Sequence, residues 1–228
     1  IILFKLFTDT SILNFPQMFM NTLFIAICSC ILSAFYVLAV SYCLSRLKFK
    51  MRKPYMNMAM ILGLFPGFMS MIAVYFILKA MGLTEGSLIK LALILCYSGG
   101  AGLSFQIAKG FFDTIPVAID EAALLDGCTR WQTYWKIVFP LLKPTIATVA
   151  IIDAMAFWND YLLPSLVLNI NQYKTIPIAI QYLKQSHGMI DWGAMMAMLV
   201  LAILPIVIFY IVCQKYIIEG VLAGAVKG

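Results

Sequence analysis

The chain has 228 residues, 63% of them hydrophobic and only 11% charged, with a formal net charge of +6. Soluble domains are near half apolar and a quarter charged, so these charges are too few to coat a soluble surface, and the composition is that of a membrane protein. The positive balance does not mark a nucleic-acid partner, because the basic residues fall in short segments between apolar runs, where they set topology and suit anionic lipid.

A membrane helix needs about 20 mainly apolar residues. Five stretches meet that requirement, roughly 22–44, 55–81, 87–108, 145–168 and 194–216. Each is too long for an ordinary buried strand and lacks strict alternation, so the expected fold class is an all-α membrane protein forming one transmembrane domain over 1–228. No cleavable signal peptide is evident.

Lysine and arginine orient the spans. Arg46, Lys48, Lys50, Arg52 and Lys53 follow the first span; Lys109, Arg130, Lys136 and Lys143 fall in the 109–144 segment; Lys215 and Lys227 lie in the tail. The opposite side holds only Lys5, Lys79, Lys90, Lys174 and Lys184. The richer side is expected to be cytoplasmic, and with it the C-terminus. An odd number of spans then puts Ile1 outside, so the topology predicts a sixth helix preceding it.

Pro66-Gly67 falls inside the second span and Pro205 inside the fifth. Proline removes a backbone donor, and neighbouring helices can satisfy the freed carbonyl, so Pro66, Gly67 and Pro205 are hinge candidates or static packing kinks. The 98–104 stretch, SGGAGLS, permits close helix approach. Five of the six cysteines lie in apolar runs, and no CxxC pair supports a metal or redox site. His187 is the only histidine and has no clustered partner, so no metal site is expected.

The polar insert is the most informative segment. Thr114 is expected to cap a short helix with Pro116 in its first turn. Asp120 and Glu121 follow, where negative charge suits the helix dipole. Ala118, Ala122 and Ala123 leave one face low. Gly127 is placed as a left-handed cap, and Thr129 with Gln132 forms a T-x-x-Q capping box that starts a second helix. Pro140 and Pro144 are expected to end that helix. A plain linker or an interfacial amphipathic helix would account for the polarity, but not for a small-residue face and double capping.

The spacing of Glu121, Ala122, Ala123, Gly127, Ile137, Phe139 and Pro140 resembles the signature loop of ATP-binding-cassette importer permeases, with Phe139 where the family usually has leucine. DGCTRW after EAALL, AFWNDYLLPSLVL, LFPGFMSMIAVYFILKAMGL and the ending EGVLAGAVKG resemble the carbohydrate branch, specifically the smaller six-helix permease of maltose-type transporters. The resemblance covers nearly the whole chain. It implies a second, homologous permease subunit, two cytoplasmic ATPase subunits, an external solute-binding protein and a bacterial plasma membrane. It also implies that Glu121, Ala122, Ala123, Asp126, Gly127, Ile137 and Pro140 form the ATPase-coupling element, that the Gly220–Gly228 tail reaches toward the ATPases, and that the 169–193 loop, with Tyr173, Tyr182 and Trp192, meets the solute-binding protein.

The chain contains no G-x-x-x-x-G-K-[ST] loop, so ATP and Mg are expected on partner subunits; no cofactor is expected on this chain, which is a transport subunit and not an enzyme. Asp153, Trp158, Asn159, Asp160 and Tyr161 are candidates for the substrate pathway, since ionisable groups at membrane depth face a cavity or the bundle interior, and aromatic, amide and carboxylate groups suit sugars. A helix-pairing network or an outer-end cluster is the alternative. The expected cargo is a sugar or oligosaccharide, with a polyol or glycerol phosphate as the alternative. An ion-driven secondary transporter would show internal repeats, and a membrane enzyme would show paired acids or a Ser/His set within the spans; neither is seen.

Overall fold

The computed structural model describes residues 14–64, 67–99, 102–185 and 192–225. Among them every regular element is helical. In chain order these are α1 (Phe15–Arg46), α2 (Arg52–Leu64), α3 (Gly67–Ala80), α4 (Ile89–Gly99), α5 (Gly102–Thr114), α6 (Val117–Leu125), α7 (Arg130–Leu141), α8 (Lys143–Asn159), α9 (Leu162–Val167), α10 (Ile176–Gln185) and α11 (Trp192–Ala225). Two single 3-10 turns, Gly86–Leu88 and Asn171–Tyr173, join them.

Two helices are long and apolar enough to cross a membrane, Phe15–Arg46 and the Trp192–Tyr216 part of α11. Two helix pairs, α4 with α5 and α7 with α8, pass the same test only if each pair counts as one bent span. The described residues therefore supply two to four candidate spans where the sequence predicts five. The first span is longer than its apolar run, because Asn14 opens α1 by accepting the Gln17 N–H at 3.2 Å and Arg46 closes it with a positive charge that suits the helix C-terminus. The second expected span, 55–81, comprises α2 and α3. Pro66 lies outside the described residues, and Gly67 opens α3. The fifth span is one helix running through Pro205.

The fourth expected span, 145–168, is broken. α8 ends at Asn159 and α9 begins at Leu162. Pro164 cannot donate to the Asp160 carbonyl, and the Asp160 carboxylate instead accepts the Leu162 N–H at 3.0 Å, so a side chain takes over where the ladder fails. The expected 169–193 loop is also more structured than its sequence suggests, since it contains the Asn171–Tyr173 turn and α10. Its His187 lies outside the described residues.

The chain forms two compact units. The first takes its described residues from 14–31, 67–99 and 154–209. Its core gathers Phe15, Met18, Ala26, Trp158, Ile176, Ala179 and Met198. Polar groups inside it are paired: Trp158 Nε1 donates to the Ala202 carbonyl at 2.9 Å, and the Thr22 hydroxyl accepts the Ile176 N–H at 3.0 Å while donating to the Met18 carbonyl. Asn21 donates to the Gln172 and Lys174 carbonyls and accepts from Lys90 Nζ at 2.6 Å; that ammonium also stands 5.2 Å from the Tyr173 ring centroid. These bonds fasten the segment before α10 to α1.

The second unit takes its described residues from 32–64, 102–153 and 210–225. Its core is Val37, Leu38, Tyr42, Ala108, Phe112, Tyr134, Val138, Leu142 and Val149, and it carries the polar insert. Elsewhere large apolar side chains stand exposed along α1, α3 and α11, among them Phe24, Ile31, Phe68, Phe76, Ile203 and Ile211. Contiguous apolar faces of this extent fit a hydrocarbon solvent and not water.

Candidate functional site

The insert folds as two helices about Gly127. α6 begins after Pro116, not at a Thr114 cap: Thr114 closes α5, where its hydroxyl donates back to the Phe111 carbonyl at 2.7 Å, and no side chain caps α6. Asp120 lies in the first turn of α6 as the dipole argument requires. α6 ends in a Schellman closure. The Cys128 N–H reaches the Ala123 carbonyl at 3.0 Å, the Gly127 N–H reaches the Leu124 carbonyl at 3.1 Å, and Gly127 has φ +82, where a Cβ is disfavoured.

The capping box is present in both directions. The Thr129 hydroxyl accepts the Gln132 N–H at 3.2 Å, and the Gln132 side chain accepts the Thr129 N–H at 2.8 Å. α7 widens into a π turn over Thr133–Val138, just ahead of Pro140, which has no N–H to offer the Lys136 carbonyl. The helix ends where the prolines were expected to stop it, between Pro140 and Pro144. The helix runs to Leu141, and a 77° bend then leads into α8, whose first turn holds Pro144.

The two faces of the insert differ in chemistry. Ala118, Glu121 and Ala122 are exposed, whereas Ala123 is buried with Asp120, three residues earlier on the same face. The low face therefore consists of Ala118 and Ala122 without Ala123. Leu125 is 89% exposed and Trp131 65%, on either side of the glycine turn, with Val117 and Leu124 also open. Asp126 caps α6, Ile137 is half-buried and Pro140 is exposed.

On the buried side, Arg46 Nε stands 2.9 Å from Asp120 Oδ2, an ion-pair distance although off the hydrogen-bond axis, with the side chains 5% and 10% exposed. Arg46 Nη2 donates to the Ile115 carbonyl at 2.7 Å, and the Tyr42 hydroxyl donates to Asp120 Oδ1 at 3.1 Å. Ser45 donates to Asp113 at 2.7 Å, and Tyr42 packs on Tyr134 with ring centroids 4.9 Å apart. Sequence reasoning missed this network. It read Arg46 as a topology residue and Asp120 as a dipole partner. The available signal was that Asp120 shares a face with Ala123, and a buried carboxylate requires a partner; nothing local names Arg46.

The five pathway candidates have separate surroundings. Asp153 is 4% exposed, and its two oxygens accept from Ser33 at 2.6 Å and Ser104 at 2.5 Å. That is a network joining α1, α5 and α8, the alternative weighed from sequence. Trp158 is committed to the apolar core of the first unit. Asn159 is exposed and donates to the Met155 carbonyl of its own helix at 2.8 Å. Asp160 accepts from the Tyr97 hydroxyl at 2.8 Å, Tyr97 stacks on Phe157 at 4.7 Å, and Tyr161 is half-buried.

Comparison with known proteins agrees with this architecture. Residues 36–222 match the family described as binding-protein-dependent transport system inner membrane component. A probable starch degradation products transport system permease of Thermoanaerobacterium thermosulfurigenes is 39% identical over 223 residues, covering 96% of this chain and 79% of that protein. A maltodextrin transport system permease of Streptococcus pneumoniae is 29% identical over 98% of this chain and 78% of its own length. In fold, the chain is similar to the crystal structure of a bacterial ABC transporter involved in the import of the acidic polysaccharide alginate, with a TM-score of 0.78 at 21% identity over 89% of this chain and 75% of the other. A chain whose described elements are helical, with lipid-type apolar faces, a double-capped polar insert and a family match over most of its length, belongs to the inner membrane components of binding-protein-dependent transport systems, and it is a transport subunit, not an enzyme.

Proposed function

We propose that this chain is the membrane-spanning permease subunit of an ATP-driven sugar or oligosaccharide importer, and that its insert is the coupling element on which a cytoplasmic ATPase subunit docks. The observation that carries the reading is the exposed apolar surface around Gly127. Leu125 and Trp131 stand in the open on a segment whose other face is firmly held. An exposed apolar patch rimmed by polar residues marks a protein contact. Glu121, Ala122, Asp126 and Gly127 frame this patch; Ile137 and Pro140 shape the helix that follows.

In the full assembly a second homologous permease pairs with this one, two ATPase subunits hold ATP and Mg on the cytoplasmic side, and a solute-binding protein delivers cargo from outside, where α10 and its flanks would meet it. The C-terminus is then cytoplasmic and five spans come from this chain, with α2 and α3 together forming one. The names of the relatives, which concern starch degradation products and maltodextrin, favour oligosaccharide over polyol or glycerol phosphate. Of the pathway candidates, Asn159 and Tyr161 remain suited to sugar, whereas Asp153, Trp158 and Asp160 are engaged in packing or hydrogen bonds within the protein.

The test is a reconstituted complex. Leu125→Asp with Glu121→Arg should leave membrane insertion intact, since both side chains are exposed and a charge set against the helix dipole costs only about 0.3–1 kcal/mol, yet should release the ATPase subunits. If ATPase binding and substrate-stimulated hydrolysis persist in that variant, the docking assignment is wrong. Screening oligosaccharides against glycerol phosphate, with the solute-binding protein present, decides the cargo class.

A further inference from the structure

We infer that the buried Arg46–Asp120 pair is the link through which displacement of α6 reaches α1, making Arg46 and Asp120 positioning residues for coupling and not docking contacts. The inference rests on the docking reading of the insert and extends it inward. Asp120 and Glu121 are adjacent in sequence but face opposite ways: Glu121 is exposed, and Asp120 is buried against Arg46.

The pair lies at the wall of a cleft lined also by Val117 and Thr133, yet its side chains are only 5% and 10% exposed, so both charges are largely withdrawn from water. Drawing α6 away from α1 would strand two buried charges, the situation that makes breaking a buried pair far more costly than losing a surface one. The Tyr42 hydroxyl holds the second carboxylate oxygen, and the Ile115 carbonyl holds guanidinium Nη2. The cheaper response to a push on α6 is for the end of α1 to move with it. α1 then carries that movement along an uninterrupted helix of 32 residues. The Ser45–Asp113 bond and the Tyr42–Tyr134 contact attach the same end of α1 to α5 and α7, so the whole insert acts on one helix end.

The experiment uses the complete complex in proteoliposomes, with its ATPase subunits and solute-binding protein, and compares wild type with Asp120→Asn, Arg46→Gln, Arg46→Lys and Tyr42→Phe. The decisive quantity is substrate taken up per ATP hydrolysed, which loss of folded complexes alone does not change. In Asp120→Asn and Arg46→Gln the ATPase subunits should remain bound while that ratio falls by about 5- to 150-fold, the range of a lost inter-site coupling. Arg46→Lys keeps the charge and should recover part of it. An unchanged ratio in both neutralised variants overturns the inference, and so does loss of the ATPase subunits from them, since that would make the pair part of the docking surface. Should the neutralised variants fail to assemble, Tyr42→Phe keeps every charge and decides the matter: a reduced ratio supports the link, and a wild-type ratio sinks it. A wild-type complex that never retains ATPase subunits would instead indict the docking reading.

Discussion

Gly127→Ala isolates backbone conformation from packing. Gly127 has φ +82, and a Cβ built there meets nothing within 4 Å. The penalty should therefore be conformational alone, roughly 1–2 kcal/mol for an L-residue in the left-handed region, or a factor of about 5–30 in a local equilibrium. The Gly127 and Cys128 amides report it, because their bonds to the Leu124 and Ala123 carbonyls close α6. Amide hydrogen exchange across the insert should show protection at these two positions falling by about 5- to 30-fold in the alanine variant. It should fall less in Gly127→Asn, since asparagine tolerates this conformation, and more in Gly127→Val, which adds β-branching. Wild-type protection in the alanine variant would mean the turn does not depend on a left-handed residue. A loss far beyond that range would mean the space around Gly127 is filled, contrary to the geometry.

The capping box predicts that Thr129→Ala and Gln132→Ala each destabilise the start of α7 by about 1 kcal/mol, seen as faster exchange at the Gln132 amide in the first and at the Thr129 amide in the second. The double variant should cost less than the sum, because the two bonds are reciprocal; full additivity would argue against a shared cap. Asp153→Ala should lower the thermal midpoint in detergent, since the Ser33 and Ser104 hydroxyls lose their acceptor, at roughly 1–3 kcal/mol for each buried group left unpaired. Asp153→Asn should lose less, its amide accepting from one serine and donating to the other, and equal midpoints for the two variants would show that the serines find other partners.

Local chemistry was legible in the sequence where it was sufficient. The Gly127 turn and the Thr129–Gln132 box need only residues a few positions apart, and both form as read. The apolar runs were legible as helices, but their breaks were not. The end of α8 depends on the Asp160 side chain finding the Leu162 N–H ahead of Pro164, a side-chain bond that competes with the helical ladder. The long-range pairs were invisible for another reason. Arg46 and Asp120 are 74 positions apart in the numbering, and each has an adequate local explanation, as a topology charge and as a dipole partner. Asp153 shows the reverse. Its depth in an apolar run signalled a partner, and the partners proved to be serines, whose small hydroxyls carry no signal of their own.

The proposed docking role requires the insert to be stiff. Binding energy applied to a surface shifts a distant equilibrium only as far as the two states differ in their contacts. A floppy insert would dissipate the push by local rearrangement. Here each route to local yielding breaks a specific interaction: unwinding α6 at its C-terminus breaks the closure at Gly127, swinging α7 breaks the capping box, and lifting α6 from α1 separates Arg46 from Asp120. The first two cost about 1–2 kcal/mol each, and breaking a buried ion pair costs about 3–5 kcal/mol. The cheapest yielding points are thus the two helix ends beside the exposed Leu125 and Trp131, and the strongest attachment is the one facing α1. On the docking reading proposed above, that order lets the outer surface adjust to a partner while the inner surface transmits, whereas an insert with the order reversed would dock as well but drive little.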